Sequence, residues 1–187
     1  KPYAGKVNDR VALFFGMIAN IDDNVGTMRT WLKDEGLYEN TIFVFTTDNG
    51  TASGAQVFNK GMRGAKGSEY DGGHRVPFFV RWPERIKPGE VCPTAILFND
   101  VIPTVAEMLN INLDNHTAED GRSFFRALTG EARPGSFHEA IVHNHSNGTF
   151  AIRKGAFKLT VNGPKTTAQV LDDSFPVTLV LHDLSKD

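Results

Sequence analysis

The stretch TIFVFTTDNGTASG, residues 41–54, decides the fold because it places an apolar run directly before an acid, an amide and a glycine. The run TIFVF carries β-branched and aromatic side chains on both faces, which predicts a strand buried on both faces, as in a parallel sheet. Open α/β sheets bind their ligands at the carboxyl ends of such strands. An Asx turn at Asp48 and Asn49, with Gly50 next, is the simpler alternative, and the pattern alone favours it.

The segment before this run predicts a long amphipathic helix over residues 11–35. Its apolar residues are spaced alternately by three and four positions, which forms one stripe on a helix: Val11, Phe14, Ile18, Ile21, Val25, Met28 and Leu32. Gly36 suits a left-handed C-terminal cap. A helix, a glycine and a buried strand make half of a βαβ unit, so the predicted fold class is α/β.

The remaining chain alternates between a loop, one more α/β element pair and a run of short strands. Residues 47–75 are rich in glycine and show no periodicity, which is typical of a functional or disordered loop. RVPFFVRWP predicts a second buried strand, and a helix follows from about Asp100, its predicted N-cap, with Leu109 and Ile111 on its apolar side. After TGEARPGS, a linker-like segment at 129–136, the short segments predict a small antiparallel meander.

Composition excludes several classes of protein. The 187 residues carry a net charge of −2 with both signs interspersed, so no basic stripe exists for a nucleic acid. No apolar run approaches the ~20 residues that a membrane helix needs. A single cysteine, Cys92, excludes an intrachain disulfide.

Three residues have the chemistry of a site that binds a cation and an anion. Asp48 and Asn49 offer hard oxygen donors of the type that Ca²⁺ or Mg²⁺ prefers, although two residues fall short of the roughly six to eight oxygens that Ca²⁺ takes. Lys66 lies in MRGAKGSEYDGG, where glycines let the backbone approach an anion that the ammonium group can reach. A solvated flexible loop is the alternative for Lys66, and alone it is at least equally favoured.

Histidine and cysteine give weaker signals. His143 and His145 alternate on a predicted strand and share one face, but no third ligand has the spacing of a zinc site. Cys92 lacks a histidine partner in the pattern, so we expect a buried or half-buried thiol and not a nucleophile.

Taken together, NTIFVFTTDNG followed by RGAKGSEYDGGHRVPFFVRWP resembles the sulfatase family. This arylsulfatase-like family belongs to the alkaline-phosphatase-like superfamily. The segments FNDVIPTVAEMLNI, DGRSFFRALTGE and AIRKGAFKLTV resemble later parts of the same family. The resemblance implies the C-terminal portion of an alkaline-phosphatase-like parallel-sheet domain over residues 1–135, and a small antiparallel α+β subdomain over 136–187.

The resemblance also implies roles for individual residues. Asp48 and Asn49 become ligands of a divalent cation, usually Ca²⁺, and Lys66 contacts the sulfate group. His74 lines the substrate pocket, and Arg75 belongs to the structure of its turn. Asp71 departs from the family string, which more often has Glu at that position.

The family's nucleophile is a formylglycine made from Cys or Ser in a C/S-x-P-x-R string, and this string is absent here. We therefore expect the nucleophile and the remaining metal ligands to lie upstream of this chain, and the chain alone to be inactive. The expected substrate is a sulfated small molecule or glycan, and the upstream half of the catalytic domain is the expected partner. A phosphate mono- or diester hydrolase of the same superfamily and a non-catalytic carbohydrate-binding module are the alternatives. The compartment is not predicted, although the family is often exported or lysosomal.

Overall fold

The computed structural model describes residues 2–114, 116–131, 137–145, 149–162, 174 and 176–186. The chain forms two compact units. The first contains Lys1–Tyr38, Phe45–Phe79 and Ala140–Asp187, and the second contains Glu39–Val44 and Val80–Glu139. Most of the predicted linker, 132–136, lies outside the described residues, and the division into domains at residue 135 stays a prediction.

The long N-terminal helix, α1, spans Asp9–Asp34. Its first turn is capped by Asn8, whose side-chain oxygen accepts a hydrogen bond from the Val11 N–H at 3.0 Å. Gly36 adopts the predicted left-handed conformation, with φ +70°, and the Leu37 N–H closes the end on the Leu32 carbonyl at 2.9 Å. The predicted helix is therefore confirmed. Despite the length of α1, no helix in the described part of the chain is both long and apolar enough to cross a membrane.

The apolar stripe of α1 is buried only at its ends. Val11 and Leu32 are buried, whereas Ile18, Ile21 and Met28 are about half exposed. A helical stripe is buried only where another element covers it, and among the described residues none covers the middle of α1.

The two predicted strands form a two-stranded sheet of β1, Phe43–Thr46, and β2, Phe78–Arg81. The Phe45 and Phe79 rings lie 6.4 Å apart. The predicted burial on both faces is wrong here, because Val44 is 48% and Phe79 65% exposed. Apolar residues on both faces of a strand predict that other elements pack against both faces. Among the described residues, Val44 and Phe79 are not covered in this way.

A single helical turn, α2, lies at Asp71–His74 before β2. The second unit contains a 3₁₀ turn at Phe98–Asp100, the helix α3 at Val101–Met108 and a short helix α4 at Phe125–Leu128. Asp100 occupies the N-cap position of α3, as predicted, but it has helical φ and ψ and makes no side-chain cap to the helix. Its carboxylate instead accepts the Leu97 N–H at 2.7 Å and closes the 3₁₀ turn. Leu109 and Ile111 are 63% and 54% exposed, so the predicted apolar side of this helix is wrong at its end.

The predicted C-terminal meander is confirmed as a four-stranded antiparallel sheet in chain order. Its strands are β3 Ile141–Asn144, β4 Phe150–Lys154, β5 Phe157–Asn162 and β6 Thr178–Asp183. The sheet buries polar side chains on one face: Lys158 is 1% and Thr160 0% exposed, whereas Phe157 is 54% exposed. A strand with one covered face usually buries its apolar side chains and exposes its polar ones, so the alternation is reversed in this sheet.

Candidate active site

The polar end of β1 is fixed against the glycines that precede His74. The Gly50 N–H donates to the Gly73 carbonyl at 2.9 Å, and the Thr47 hydroxyl donates to the Asn49 carbonyl at 3.1 Å. A Cβ added at Gly50 would lie 1.8 Å from the Gly72 carbonyl oxygen. Only glycine permits this approach, so Asp48 and Asn49 lie on a segment whose position is set by the Gly72–Gly73 backbone.

The glycine-rich loop that carries Lys66 is ordered by hydrogen bonds within the loop. The Lys66 N–H donates to the Thr51 carbonyl at 2.9 Å, and the Asn59 side-chain amide donates to the Met62 and Gly64 carbonyls, both at 2.9 Å. Gly64 and Gly67 take φ values of +83° and +86°, which other residues rarely adopt. The loop therefore has a defined conformation, and its Lys66 is attached to the strand-end segment.

The loop closes with α2, a single helical turn at Asp71–His74 that the sequence did not predict. Residues 47–75 were expected to have no regular structure. The Arg75 N–H caps this turn by donating to the Asp71 carbonyl at 2.7 Å, whereas the structural role expected of Arg75 stays a prediction. The backbone thus brings the segments of Asp48, Asn49, Lys66 and His74 together, while their side-chain roles stay predictions.

The donors at the strand end fit a hard cation in kind but not in number. The Asp48 carboxylate is exposed and Asn49 is partly buried, and neither side chain has a hydrogen bond or ion pair among the described residues. Oxygen donors of this type suit Ca²⁺ or Mg²⁺. Within the described residues no group of three His, Cys, Asp or Glu side chains could hold a metal ion. Asp48 and Asn49 could therefore contribute two ligands, with the others coming from elsewhere.

His74 and His143 form a pair of neutral rings beside the loop. Their ring centroids lie 4.3 Å apart, and His143 Nε2 lies 3.0 Å from the Glu69 carbonyl oxygen. Burial and the positive charge of Lys158 lower the pKa of His143 to about 4, and the same two causes lower the pKa of His74. A neutral ring bonded to a carbonyl must donate, so His143 carries its proton on Nε2.

The hydrogen bonds of His74 leave one nitrogen buried and unused. Its ring bonds to the Ser68 backbone, while Nε2 is buried with no hydrogen-bond partner in the described structure. The bond to Ser68 is therefore made by Nδ1, and Nε2 of the neutral ring has a lone pair available to accept a hydrogen bond. A ligand hydroxyl group could supply that donor.

Lys158 and Asp71 form an ion pair next to the two histidines. The Lys158 ammonium donates to Asp71 Oδ1 at 3.0 Å, and the Arg153 guanidinium lies 3.8 Å from Asp71 Oδ2. Burial opposes the charge on Asp71, but the Lys158 hydrogen bond and the nearby positive charges lower the pKa of Asp71 overall. Burial lowers the pKa of Lys158 against the opposing attraction of Asp71. The contact between the two groups therefore favours the charged form of each.

Sequence reasoning missed Lys158, Asp71 and His143 as parts of this site. Lys158 alternates with Phe157 and Leu159, a pattern that normally places the lysine in solvent. Asp71 attracted attention only because it replaces the family's Glu. The place of Lys158 follows only from the strand register, which sets it opposite Arg153 and His182 on the inward face of the sheet.

Two expectations about other residues changed. Cys92 is exposed, not buried, because it lies in the irregular segment between β2 and the 3₁₀ turn. His145 lies just beyond β3, where its N–H donates to the Thr149 carbonyl at 2.7 Å. His143 bonds to the Glu69 carbonyl and lies against the His74 ring, with the ring planes tilted by 43°.

The neutral state of His143 predicts a loss of stability in mild acid. The unfolded chain binds a proton at this residue as the pH falls through 6.5, whereas the folded ring stays neutral until about pH 4. The stabilising contribution is therefore complete above pH 6.5 and is lost as the pH falls towards 4. Since one pKa unit is about 1.4 kcal/mol and the ring is only partly buried, we expect a loss of about 1–2 kcal/mol from the free energy of unfolding.

Urea unfolding at pH 7, 5.5 and 4.5 measures this effect. His143→Gln should flatten the pH dependence between 6.5 and 4, while His116→Gln serves as the control for loss of a histidine at an exposed position. An unchanged pH dependence in His143→Gln would show that the His143 ring is not the group responsible.

Comparison with known proteins identifies the fold and the family of this chain. The fold class is alkaline-phosphatase-like, as shown by the solved structures that this mixed α/β chain matches. The crystal structure of i-CgsB in complex with k-i-k-neocarrahexaose matches with a TM-score of 0.75 and 25% identity, over 98% of this chain and 41% of that one. A Bacteroides thetaiotaomicron protein described in connection with the metabolism of multiple glycosaminoglycans matches with a TM-score of 0.69 and 30% identity, over 89% of this chain and 37% of that one.

The chain belongs to the sulfatase family, whose model matches residues 1–111. Human arylsulfatase A is 31% identical over 192 residues, which covers 93% of this chain and 37% of the enzyme. The N-acetylgalactosamine-6-O-sulfatase of B. thetaiotaomicron is 33% identical over 156 residues, covering 76% of this chain and 30% of that protein. The chain thus spans about a third of the length of these relatives, and the predicted fold class and family are both confirmed.

Proposed function

We propose that this chain is part of a sulfuric ester hydrolase that cleaves sulfate esters at the junction of the β1 end and the glycine-rich loop. The observation that supports this proposal most strongly is the hydrogen bond from the Lys66 N–H to the Thr51 carbonyl at 2.9 Å. It attaches the predicted sulfate-binding lysine to the segment that carries Asp48 and Asn49. Lys66 and the segment that carries Asp48 and Asn49 lie within residues 1–111, the region that matches the sulfatase family.

In this proposal Asp48 and Asn49 hold a divalent cation, Ca²⁺ as the family resemblance implies, together with ligands from upstream. When bound, the cation supplies positive charge to the sulfate oxygens. The nucleophile is a formylglycine formed upstream of this chain, so the 187 residues alone are not expected to turn over substrate. Two of roughly six to eight ligands give too little coordination for tight Ca²⁺ binding by this chain.

Lys66 and His74 contact the substrate directly. The Lys66 ammonium is exposed and makes no ion pair or hydrogen bond among the described residues, so it is available to an anion. Placed against the sulfate oxygens, it stabilises the charge that develops as the ester bond breaks, and a fixed loop requires little reorganisation to do so. The buried Nε2 of His74 accepts a hydrogen bond from the alcohol part of the substrate.

A sulfated sugar is the substrate class that we favour. Its hydroxyl groups are donors that suit the lone pair of His74 Nε2. The similar proteins support this choice, since one is an N-acetylgalactosamine-6-O-sulfatase and another binds a neocarrahexaose. A small aryl sulfate ester lacks such hydroxyl donors.

The proposal is tested by measuring sulfate release with the full-length protein. We expect hydrolysis of N-acetylgalactosamine 6-sulfate or 4-nitrophenyl sulfate, loss of activity with EDTA and recovery with Ca²⁺. Hydrolysis of 4-nitrophenyl phosphate in place of the sulfates would favour the phosphate ester hydrolase. Binding of sulfated sugar without turnover would favour the non-catalytic module.

A further inference from the structure

Every strand of the C-terminal sheet sends one side chain onto the six residues 69–74. From β3, His143 contacts the Glu69 carbonyl and the His74 ring. From β4 and β5, Arg153 and Lys158 approach the Asp71 carboxylate. From β6, the His182 ring lies edge-on to Tyr70, with centroids 5.6 Å apart and planes at 88°.

The strand register explains how four strands reach one segment. Arg153 is opposite Lys158, which is opposite His182, and His143 is opposite Ala151. Residues paired across an antiparallel sheet, and residues two apart on one strand, share a face. The side chains of His143, Arg153, Lys158 and His182 therefore form one polar face, which we call the bracing face.

Burial makes the Lys158–Asp71 contact the centre of the bracing face. The Lys158 side chain is 1% and the Asp71 side chain 17% exposed. A buried charge that loses its partner is strongly destabilised, so each of these residues constrains the position of the other. Arg153 is more exposed, at 32%, and lies farther from Asp71.

The segment 69–74 transmits this constraint to both halves of the candidate site. The Gly73 carbonyl accepts the Gly50 N–H, next to Asp48 and Asn49. The Gly72 N–H donates to the Arg63 carbonyl at 2.8 Å, on the loop that continues to Lys66. At Gly73 an added Cβ would lie 2.2 Å from the Ser68 carbonyl oxygen, so the segment cannot shift without disturbing the loop.

We propose that Lys158 is a positioning residue of the sulfatase reaction, which acts through Asp71 to hold the glycine-rich loop so that Lys66 points at the sulfate group. The C-terminal sheet is then a functional platform of the active site. This inference rests on the proposed function. Lys158 touches no reacting atom, and its effect on catalysis passes through the placement of Lys66.

Steady-state kinetics of the full-length enzyme on N-acetylgalactosamine 6-sulfate and 4-nitrophenyl sulfate test this role. Lys158→Met should lower kcat/KM about tenfold or more, since small misplacements of a catalytic group are costly. Lys154→Met, the same substitution at an exposed position of β4, should leave kcat/KM unchanged. In a Lys66→Ala background, Lys158→Met should have less than about a twofold effect, because the group it positions is gone.

Hydrogen–deuterium exchange on the same full-length variants gives a readout that does not depend on activity. Lys158→Met should speed exchange at the amides of Gly50, Lys66 and Gly72, which bond to Gly73, Thr51 and Arg63. If Lys158→Met does not fold, Asp71→Asn, which keeps the shape of the side chain, carries both measurements.

The possible outcomes separate the positioning role of Lys158 from the proposed sulfatase function. Normal kcat/KM in Lys158→Met, or an equal loss in the wild-type and Lys66→Ala backgrounds, would overturn the positioning role. Unchanged exchange at these amides would overturn it as well. A wild-type protein that cleaves no sulfate ester would contradict the proposed function. Faster exchange in Lys158→Met would still show, independently of activity, that Lys158 holds the segment 69–74 and the glycine-rich loop in place.

Discussion

Lys66→Ala in the full-length enzyme is expected to lower kcat/KM for sulfate ester hydrolysis by about 10²-fold or more. Removing one preorganised charge donor from a transition state typically costs ~10²–10³ in rate. Lys66 suits this role because its backbone is fixed to Thr51 while its ammonium makes no ion pair among the residues the structure describes. The free energy of unfolding should change by no more than ~0.5 kcal/mol, as for most exposed loop positions.

Steady-state kinetics and thermal melting of the wild type and variants distinguish catalysis from folding. Lys66→Arg should restore only part of the activity, because a planar guanidinium fork does not replace a compact ammonium group in a glycine-rich loop. Lys87→Ala, at an exposed loop lysine of the second unit, is the matched control and should have wild-type kinetics. Near-normal kcat/KM in Lys66→Ala would mean that Lys66 is a solvated loop residue.

Elements whose signals are local could be predicted from the sequence. The spacing from Val11 to Leu32 predicted α1, Gly36 predicted its left-handed cap, and the short segments after residue 136 predicted the antiparallel meander. Each of these signals depends on the periodicity or conformational freedom of neighbouring residues. The strand-end pair Asp48–Asn49 was equally visible, although a pattern cannot tell a ligand pair from a turn.

Burial and long-range contacts could not be predicted in this way. The sequence indicated that Val44 and Phe79 prefer to be covered, but whether a layer covers them depends on the rest of the protein. The Lys158–Asp71 pair joins residues 87 positions apart, and no sequence pattern near either residue indicates the contact. Such pairs arise from strand register, which the sequence pattern of one strand does not encode.

Asp100→Ala is expected to destabilise the second unit by about 3–5 kcal/mol, because Asp100 joins three parts of it. The Asp100 side chain is fully buried. It accepts the Leu97 N–H at 2.7 Å and the Arg122 N–H at 2.8 Å, and His138 Nε2 lies 2.9 Å from Oδ2. Alanine would remove the acceptor of two partly buried backbone N–H groups and of the His138 ring, and each unsatisfied group costs about 1–3 kcal/mol.

Urea unfolding of Asp100→Ala, Asp100→Asn and Asp114→Ala measures this loss against a matched control. Asp114 also accepts nearby hydrogen bonds, from the His116 N–H and the Thr117 hydroxyl, but its side chain is exposed, so water can replace it. Asp100→Asn should lose less than alanine because its amide oxygen can still accept one backbone N–H, although its NH₂ group then faces other donors. A loss in Asp100→Ala no larger than that in Asp114→Ala would contradict the buried network. A large loss confined to Asp100 would mean that the residue at the start of α3 also ties that helix to Arg122 and His138.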